Sequence, residues 1–170
     1  MGLIFLVGFM GCGKTTMGRK LSAALEYDFI DLDHRFEEQT GTRISDYFTE
    51  HGEEAFRKQE SKILKETIYP ENAVVSTGGG LPCFFNNMDW MNARGQTVYM
   101  KLTPKMLASR LENAKTPRPV LQGKKGQELV ELIETKLAER EPHYSKASVV
   151  ADSFADLTPE NIMYLLATNK

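Results

Sequence analysis

Eight residues near the start of the chain, Gly8-Phe9-Met10-Gly11-Cys12-Gly13-Lys14-Thr15, follow the phosphate-binding pattern G-x-x-x-x-G-K-[ST]. Such a loop functions only between a buried strand and the helix that follows it, so it dictates the architecture around it. The flanks agree. Leu3-Ile4-Phe5-Leu6-Val7 is a continuous apolar run, as expected of a parallel strand covered on both faces. Met17, Leu21, Ala24 and Leu25 recur at helical spacing, which predicts a helix over 14–25.

The loop's chemistry follows from that geometry. Glycines let the backbone curl round phosphate oxygens, its N–H groups point inward, and the helix N-terminus adds partial positive charge. Gly11, Cys12, Gly13 and Thr16 thus belong to a phosphate cradle; Lys14 reaches the β- and γ-phosphates, and Thr15 offers a hydroxyl to Mg²⁺.

Composition narrows the partners. A net charge of −2 over 170 residues gives no electrostatic footprint for nucleic acid or an anionic membrane. No apolar run approaches the roughly 20 residues of a membrane span. The first apolar stretch lacks a basic leader and reads as a strand rather than a signal peptide. Cys12 and Cys83 have no metal-ligand partner at C-x-x-C spacing, and a bridge at Cys12 would obstruct the phosphates, so both read as free thiols of a reducing compartment. The expectation is one cytoplasmic domain spanning 1–170.

Taken in order, Tyr27 to Asp33 reads as a second strand ending in acids, with Asp31 and Asp33 on one face of an extended backbone. Taken alone the pair solvates a strand end; beside the glycine loop, one carboxylate near Thr15 suits Mg²⁺. A helix follows from His34, broken at Gln39-Thr40-Gly41; a short apolar helix or turn at 44–48 is broken again at His51-Gly52. Residues 53–68 then read as one helix with Phe56, Ile63, Leu64 and Ile68 inward. On its residues alone, Arg57 is a solvated helix position able to pair with Glu53 or Glu60. Ala73-Val74-Val75-Ser76 is a buried strand running into Thr77-Gly78-Gly79-Gly80, a run that suits a backbone approaching a ligand closely or a plain flexible turn.

Residues 86–93 read as a short helix carrying Trp90, 97–102 as a strand, and Thr103-Pro104 as the cap of a helix ending by Asn113. Between 113 and 126 the apolar period is lost among prolines, glycines and cations, which predicts a basic lid with Arg118 reaching a phosphate. A helix over 127–140 should stop before Pro142, with Arg140 at its C-terminus, where a cation also has a plain dipole explanation. A last strand at 148–151 and a helix from Thr158-Pro159, with Ile162, Leu165 and Leu166 inward, complete the alternation. The expected fold is α/β: three layers, α/β/α, with a five-stranded parallel sheet and a lid loop, which the resemblance described next makes a P-loop kinase fold.

These residues together carry a family likeness. The early P-loop, Asp31-x-Asp33, Gly52-Glu53 with Phe56-Arg57-x-x-Glu60, Gly78-Gly79-Gly80, Arg118-Pro119, and Glu139-Arg140 ahead of Pro142 and Tyr144 resemble shikimate kinase. That family lies within the nucleoside-monophosphate-kinase-like phosphotransferases. The resemblance spans nearly the whole chain and implies phosphoryl transfer from ATP, with Mg²⁺, to the 3-hydroxyl of shikimate. It implies that Asp33 holds the acceptor hydroxyls and takes the proton, that Arg57 and Arg140 grip the carboxylate, and that Gly78, Gly79 and Gly80 lie against the ring. It makes Lys14, Asp33 and Arg118 the catalytic set, Thr15 and Asp31 the magnesium residues, and Arg110 a neighbour of the adenine. The acceptor region falls at about 33–61, and the protein is expected to be a monomer. The chain departs from the family at Cys12, Val120, His143 and Lys146, where alanine, leucine, leucine and glutamate are usual. Two other readings stay open: another small-molecule P-loop kinase, such as a gluconate kinase, and an ATP-binding regulatory relative without catalysis.

Overall fold

The computed structural model describes residues 2–115, 121–152, 155 and 157–169. Its strands are β1 (Leu3–Val7), β2 (Asp28–Asp31), β3 (Ala73–Ser76), β4 (Gly95–Met100) and β5 (Val149–Ala151). Its helices are α1 (Lys14–Leu25), α2 (Leu32–Thr40), α3 (Ile44–Glu66), α4 (Asn87–Arg94), α5 (Pro104–Glu112), α6 (Gly126–Tyr144) and α7 (Pro159–Thr168), with a 3₁₀ turn at Leu81–Cys83. The strands form one parallel sheet in the order β2-β3-β1-β4-β5.

The apolar strands explain the centre. Ile4, Phe5, Leu6 and Val7 of β1 and Val74 and Val75 of β3 have no exposed surface, because both faces of the sheet are covered. α1 packs on β2 and β3, α4 on β4, and α7 on β5 and α1. From β1 the chain leaves toward one edge and from β4 toward the other. The carboxyl ends of these two neighbours therefore border the crevice where open α/β sheets bind ligands. Gly8, just past β1, shows how tight that border is: a Cβ there would lie 2.8 Å from the Met100 carbonyl oxygen.

Several boundaries differ from the sequence reading. β2 stops at Asp31, so Asp31 and Asp33 do not share an extended face. The Asp31 carboxylate accepts from the backbone N–H groups of Asp33 and His34 at 3.0 and 3.3 Å and starts α2 there. The two segments expected at 44–48 and 53–68 are one helix kinked at Gly52, whose backbone is non-helical. That helix ends at Glu66, leaving Ile68 92% exposed rather than inward. β4 begins at Gly95, two residues earlier than expected, and ends at Met100. α6 runs past Arg140 and through Pro142 to Tyr144. Its last turn is fastened from outside: Tyr99 donates to Glu141 Oε2 at 2.6 Å, and Tyr144, fully buried, donates to the Gly79 carbonyl. These contacts outweigh the one backbone donor that proline lacks.

Candidate active site

The glycine loop folds as its pattern demands. Gly11 and Gly13 have φ of 81° and 95°, left-handed values that L side chains resist, and Gly13 is the residue from which α1 starts. Lys14, 8% exposed, turns its ammonium back onto the loop, donating to the Gly8 and Phe9 carbonyls at 2.8 and 3.1 Å. Arg110 Nη1 donates to the Cys12 carbonyl at 3.4 Å. With Cys12, Gly13, Thr16, Met17, Lys20, Met100 and Leu157, Arg110 lines a recess of about 240 Å³ beside the loop.

A larger cleft of about 800 Å³ reaches the loop at Met10. Met10, Asp31, Asp33, Arg57, Glu60, Gly78, Gly79, Gly80 and Arg140 all contribute to its wall, and Phe48 and Phe56 give it an apolar side. Residues from the P-loop, α2, α3, the β3 glycine run and α6 thus converge at one rim of the sheet. Arg57 is no solvated helix charge: it is 7% exposed and its Nη1 donates to Glu60 Oε1 at 3.0 Å. Glu53, itself 58% exposed, lies farther off at 3.6 Å from Arg57 Nε. Among the described residues, Arg57 Nε and Arg140 Nη1 are buried donors with no hydrogen-bond partner. Buried donors left in that state cost free energy that an anionic ligand recovers.

The glycine run serves these side chains. A Cβ on Gly78 would stand 2.8 Å from Glu60 Oε2 and 3.0 Å from Asp33 Oδ1. One on Gly80 would stand 2.3 Å from Arg57 Nη1, and one on Gly79 3.0 Å from the Met10 nitrogen and 3.6 Å from Arg140 Nη1. Each glycine makes room for a different polar group, so the run is neither a plain turn nor only a ligand platform.

Burial pushes Glu60 up to about 7, with Arg57 opposing the shift and Asp33 adding to it. Burial also pushes the Cys83 thiol up to about 11, which leaves little reactive thiolate. Cys12 and Cys83 are both free. The Arg140 guanidinium lies over the Phe9 ring at 5.3 Å.

Thr15 donates its hydroxyl to Asp31 Oδ2 at 2.9 Å. A hydroxyl beside a carboxylate is a donor set of hard oxygens, which fits Mg²⁺. Among the described residues no group of three or more His, Cys, Asp or Glu is arranged to hold a metal ion. Among the same residues no helix is long and apolar enough to cross a membrane. The sequence names Glu60 as a partner for Arg57 and as part of the family motif but gives neither it nor Met10 a place in the site; the i, i+3 spacing of Arg57 and Glu60 is the signal for the former. Arg118, expected in the lid, lies outside the described residues.

A parallel sheet with the glycine loop after its central strand, an ammonium folded into that loop and a cleft with buried charged side chains alongside define a P-loop phosphotransferase. Deoxyadenosine kinase from M. mycoides shares this fold at 20% identity and a TM-score of 0.62. The chain belongs to the shikimate kinase family, whose pattern it matches over residues 10–168. It is 47% identical to shikimate kinase of Parabacteroides distasonis, over 95% of this chain and 94% of the relative. The crystal structure of shikimate kinase from Bacteroides thetaiotaomicron matches with a TM-score of 0.90 at 40% identity, covering 98% of both chains. Shikimate kinase from Acinetobacter baumannii, solved in complex with shikimate, matches with a TM-score of 0.89 at 32% identity, covering all of this chain and 95% of that one.

Proposed function

We propose that this chain transfers the γ-phosphoryl group of ATP to the 3-hydroxyl of shikimate, giving shikimate 3-phosphate for aromatic amino acid biosynthesis. The observation that carries the reading is the pair of buried guanidiniums, Arg57 and Arg140, each with a free N–H, on one cleft with Asp33 and one loop away from Lys14. Two planar cations suit a carboxylate, and an acid on the same cleft suits a hydroxyl.

In this reading the backbone of Gly11, Cys12 and Gly13, with Thr16, cradles the phosphates, and Lys14 exchanges its loop carbonyls for phosphate oxygens. Asp33 orients the acceptor hydroxyl and receives its proton as the new P–O bond forms. Because phosphoryl transfer is mostly positioning and charge stabilisation, Asp33 need not be a strong base. Arg57 and Arg140 fix the acceptor carboxylate, and Gly78, Gly79 and Gly80 lie along its ring. Arg110 flanks the base of ATP. Thr15, with Asp31 through water, would hold Mg²⁺, which neutralises charge on the β- and γ-phosphates when bound. The segment about 113–126, with Arg118, acts as a lid that keeps water from competing as acceptor. The whole chain works as one kinase domain with its acceptor region at about 33–61, a cytoplasmic monomer that binds neither nucleic acid nor membrane.

Release of ADP measured with shikimate, with gluconate and with no acceptor tests this. Stimulation by shikimate alone is expected. Equal stimulation by gluconate would move the assignment to another small-molecule kinase, and a rate independent of acceptor would favour a regulatory ATP-binding protein. Asp33→Asn should abolish turnover while sparing ATP binding.

A further inference from the structure

Arg57 is held by more than Glu60. Its Cζ lies 4.4 Å from the centre of the Phe84 ring and 5.0 Å from that of Phe56. Both distances are inside the roughly 6 Å at which a ring face attracts a cation. Phe56 is the adjacent residue, but Phe84 arrives from a separate segment, and the way it arrives is built.

Beyond the 3₁₀ turn at Leu81–Cys83, Asn87 fastens the chain. It is fully buried. Its side-chain amide donates to the Leu81 carbonyl at 2.9 Å, and its Oδ1 accepts from the Ser61 hydroxyl at 2.7 Å. Its backbone N–H donates to the Phe84 carbonyl at 3.3 Å. One residue earlier, Asn86 Oδ1 accepts from Lys65 Nζ at 2.7 Å. Residues 57, 61 and 65 are spaced by four, so they share one face of α3. The segment 84–87 therefore runs along that face, tied at 61 and 65, and brings a phenyl ring to 57.

The ring answers a need that hydrogen bonds leave open. The Arg57 side chain is 8% exposed and its Nε has no hydrogen-bond partner among the described residues. Its buried counter-charge, Glu60, titrates at about 7, so near neutral pH that charge is present only part of the time. A ring face stabilises a desolvated guanidinium at any pH. Arg57 lines the large cleft, and Phe84 is not among its lining residues.

We infer that Phe84 is a positioning residue for acceptor binding: its ring holds the Arg57 guanidinium in place at the cleft wall, so that an incoming carboxylate meets a preset cation. This rests on the reading of Arg57 as a carboxylate-binding group.

Replacing Phe84 by phenylalanines of increasing fluorine content drains negative charge from the ring face while nearly keeping its shape. The KM for shikimate should climb stepwise along the series, by about three- to tenfold at the most fluorinated ring. The kcat, the KM for ATP and the Tm should stay level. Phe84→Leu should raise the shikimate KM similarly, and Phe84→Tyr, which keeps the ring face, should not. A flat series overturns the inference, as does an equal loss in the Leu and Tyr variants. Arg57→Ala run alongside separates the two claims. An unchanged shikimate KM in that variant means that Arg57 itself is misassigned; a raised KM with a flat fluorine series removes Phe84 alone.

Discussion

The Asp31 carboxylate serves two neighbours at once. One oxygen caps α2 through the Asp33 and His34 N–H groups, and the other accepts from Thr15. The two jobs separate by substitution. Asp31→Asn keeps a carbonyl oxygen for the cap but removes the negative charge. Its Tm should fall little while the Mg²⁺ concentration needed for half-maximal activity rises. Asp31→Ala loses the cap as well, at a cost of about 1 kcal/mol, and should lower the Tm further while raising the Mg²⁺ requirement in the same way. Thermal melts and a Mg²⁺ titration of both variants check this; equal Tm values would mean that the cap contributes nothing. Asp33 depends on the same residue, because the turn that Asp31 starts carries Asp33 into the cleft wall.

At the scale of elements, α3 illustrates what the sequence discloses. The glycine in His51-Gly52 marks a break, and the structure has one: Gly52 sits at φ 82° and ψ 171°, a region essentially confined to glycine. Nothing lies within 4 Å of a Cβ built there, so any penalty is conformational rather than steric crowding. Gly52→Ala should therefore cost about 1–3 kcal/mol, seen as a Tm drop of several degrees, with ATP affinity unchanged. An unchanged Tm would mean that the kink is easily remade. The same local signals gave the P-loop, the alternating elements and the parallel sheet, because glycine spacing and apolar runs report backbone geometry directly. They misplaced the ends of β2, α3 and α6. Those ends are set by the Asp31 cap, by Thr67 donating to the Ile63 carbonyl, and by Tyr144 reaching Gly79. The last is a contact between residues 65 apart, beyond any local pattern. Arg57 and Arg140 read as surface cations for the same reason: their burial is made by other elements.

For the whole molecule, the buried Glu60 makes stability depend on pH. Its ordinary value is 4.5, and the fold raises it to about 7. Between those values the folded protein keeps a proton that the unfolded chain releases. The contribution is thus fully present below 4.5 and is lost as pH rises through about 7. Glu60→Gln is neutral throughout and removes this slope. The Tm of that variant, relative to the parent, should improve steadily from pH 4.5 to above 7. A constant difference across the range would show that Glu60 titrates normally.

A Cβ on Gly79 would stand 3.0 Å from the Met10 nitrogen, so in this wall of the cleft the glycine run lies directly against the backbone of the P-loop. A descendant of this chain cannot gain so much as a methyl group at Gly79 without pushing on that loop. Room for a different ligand is easier to find elsewhere in the lining, as at Ile44 and Phe48, which are only partly buried.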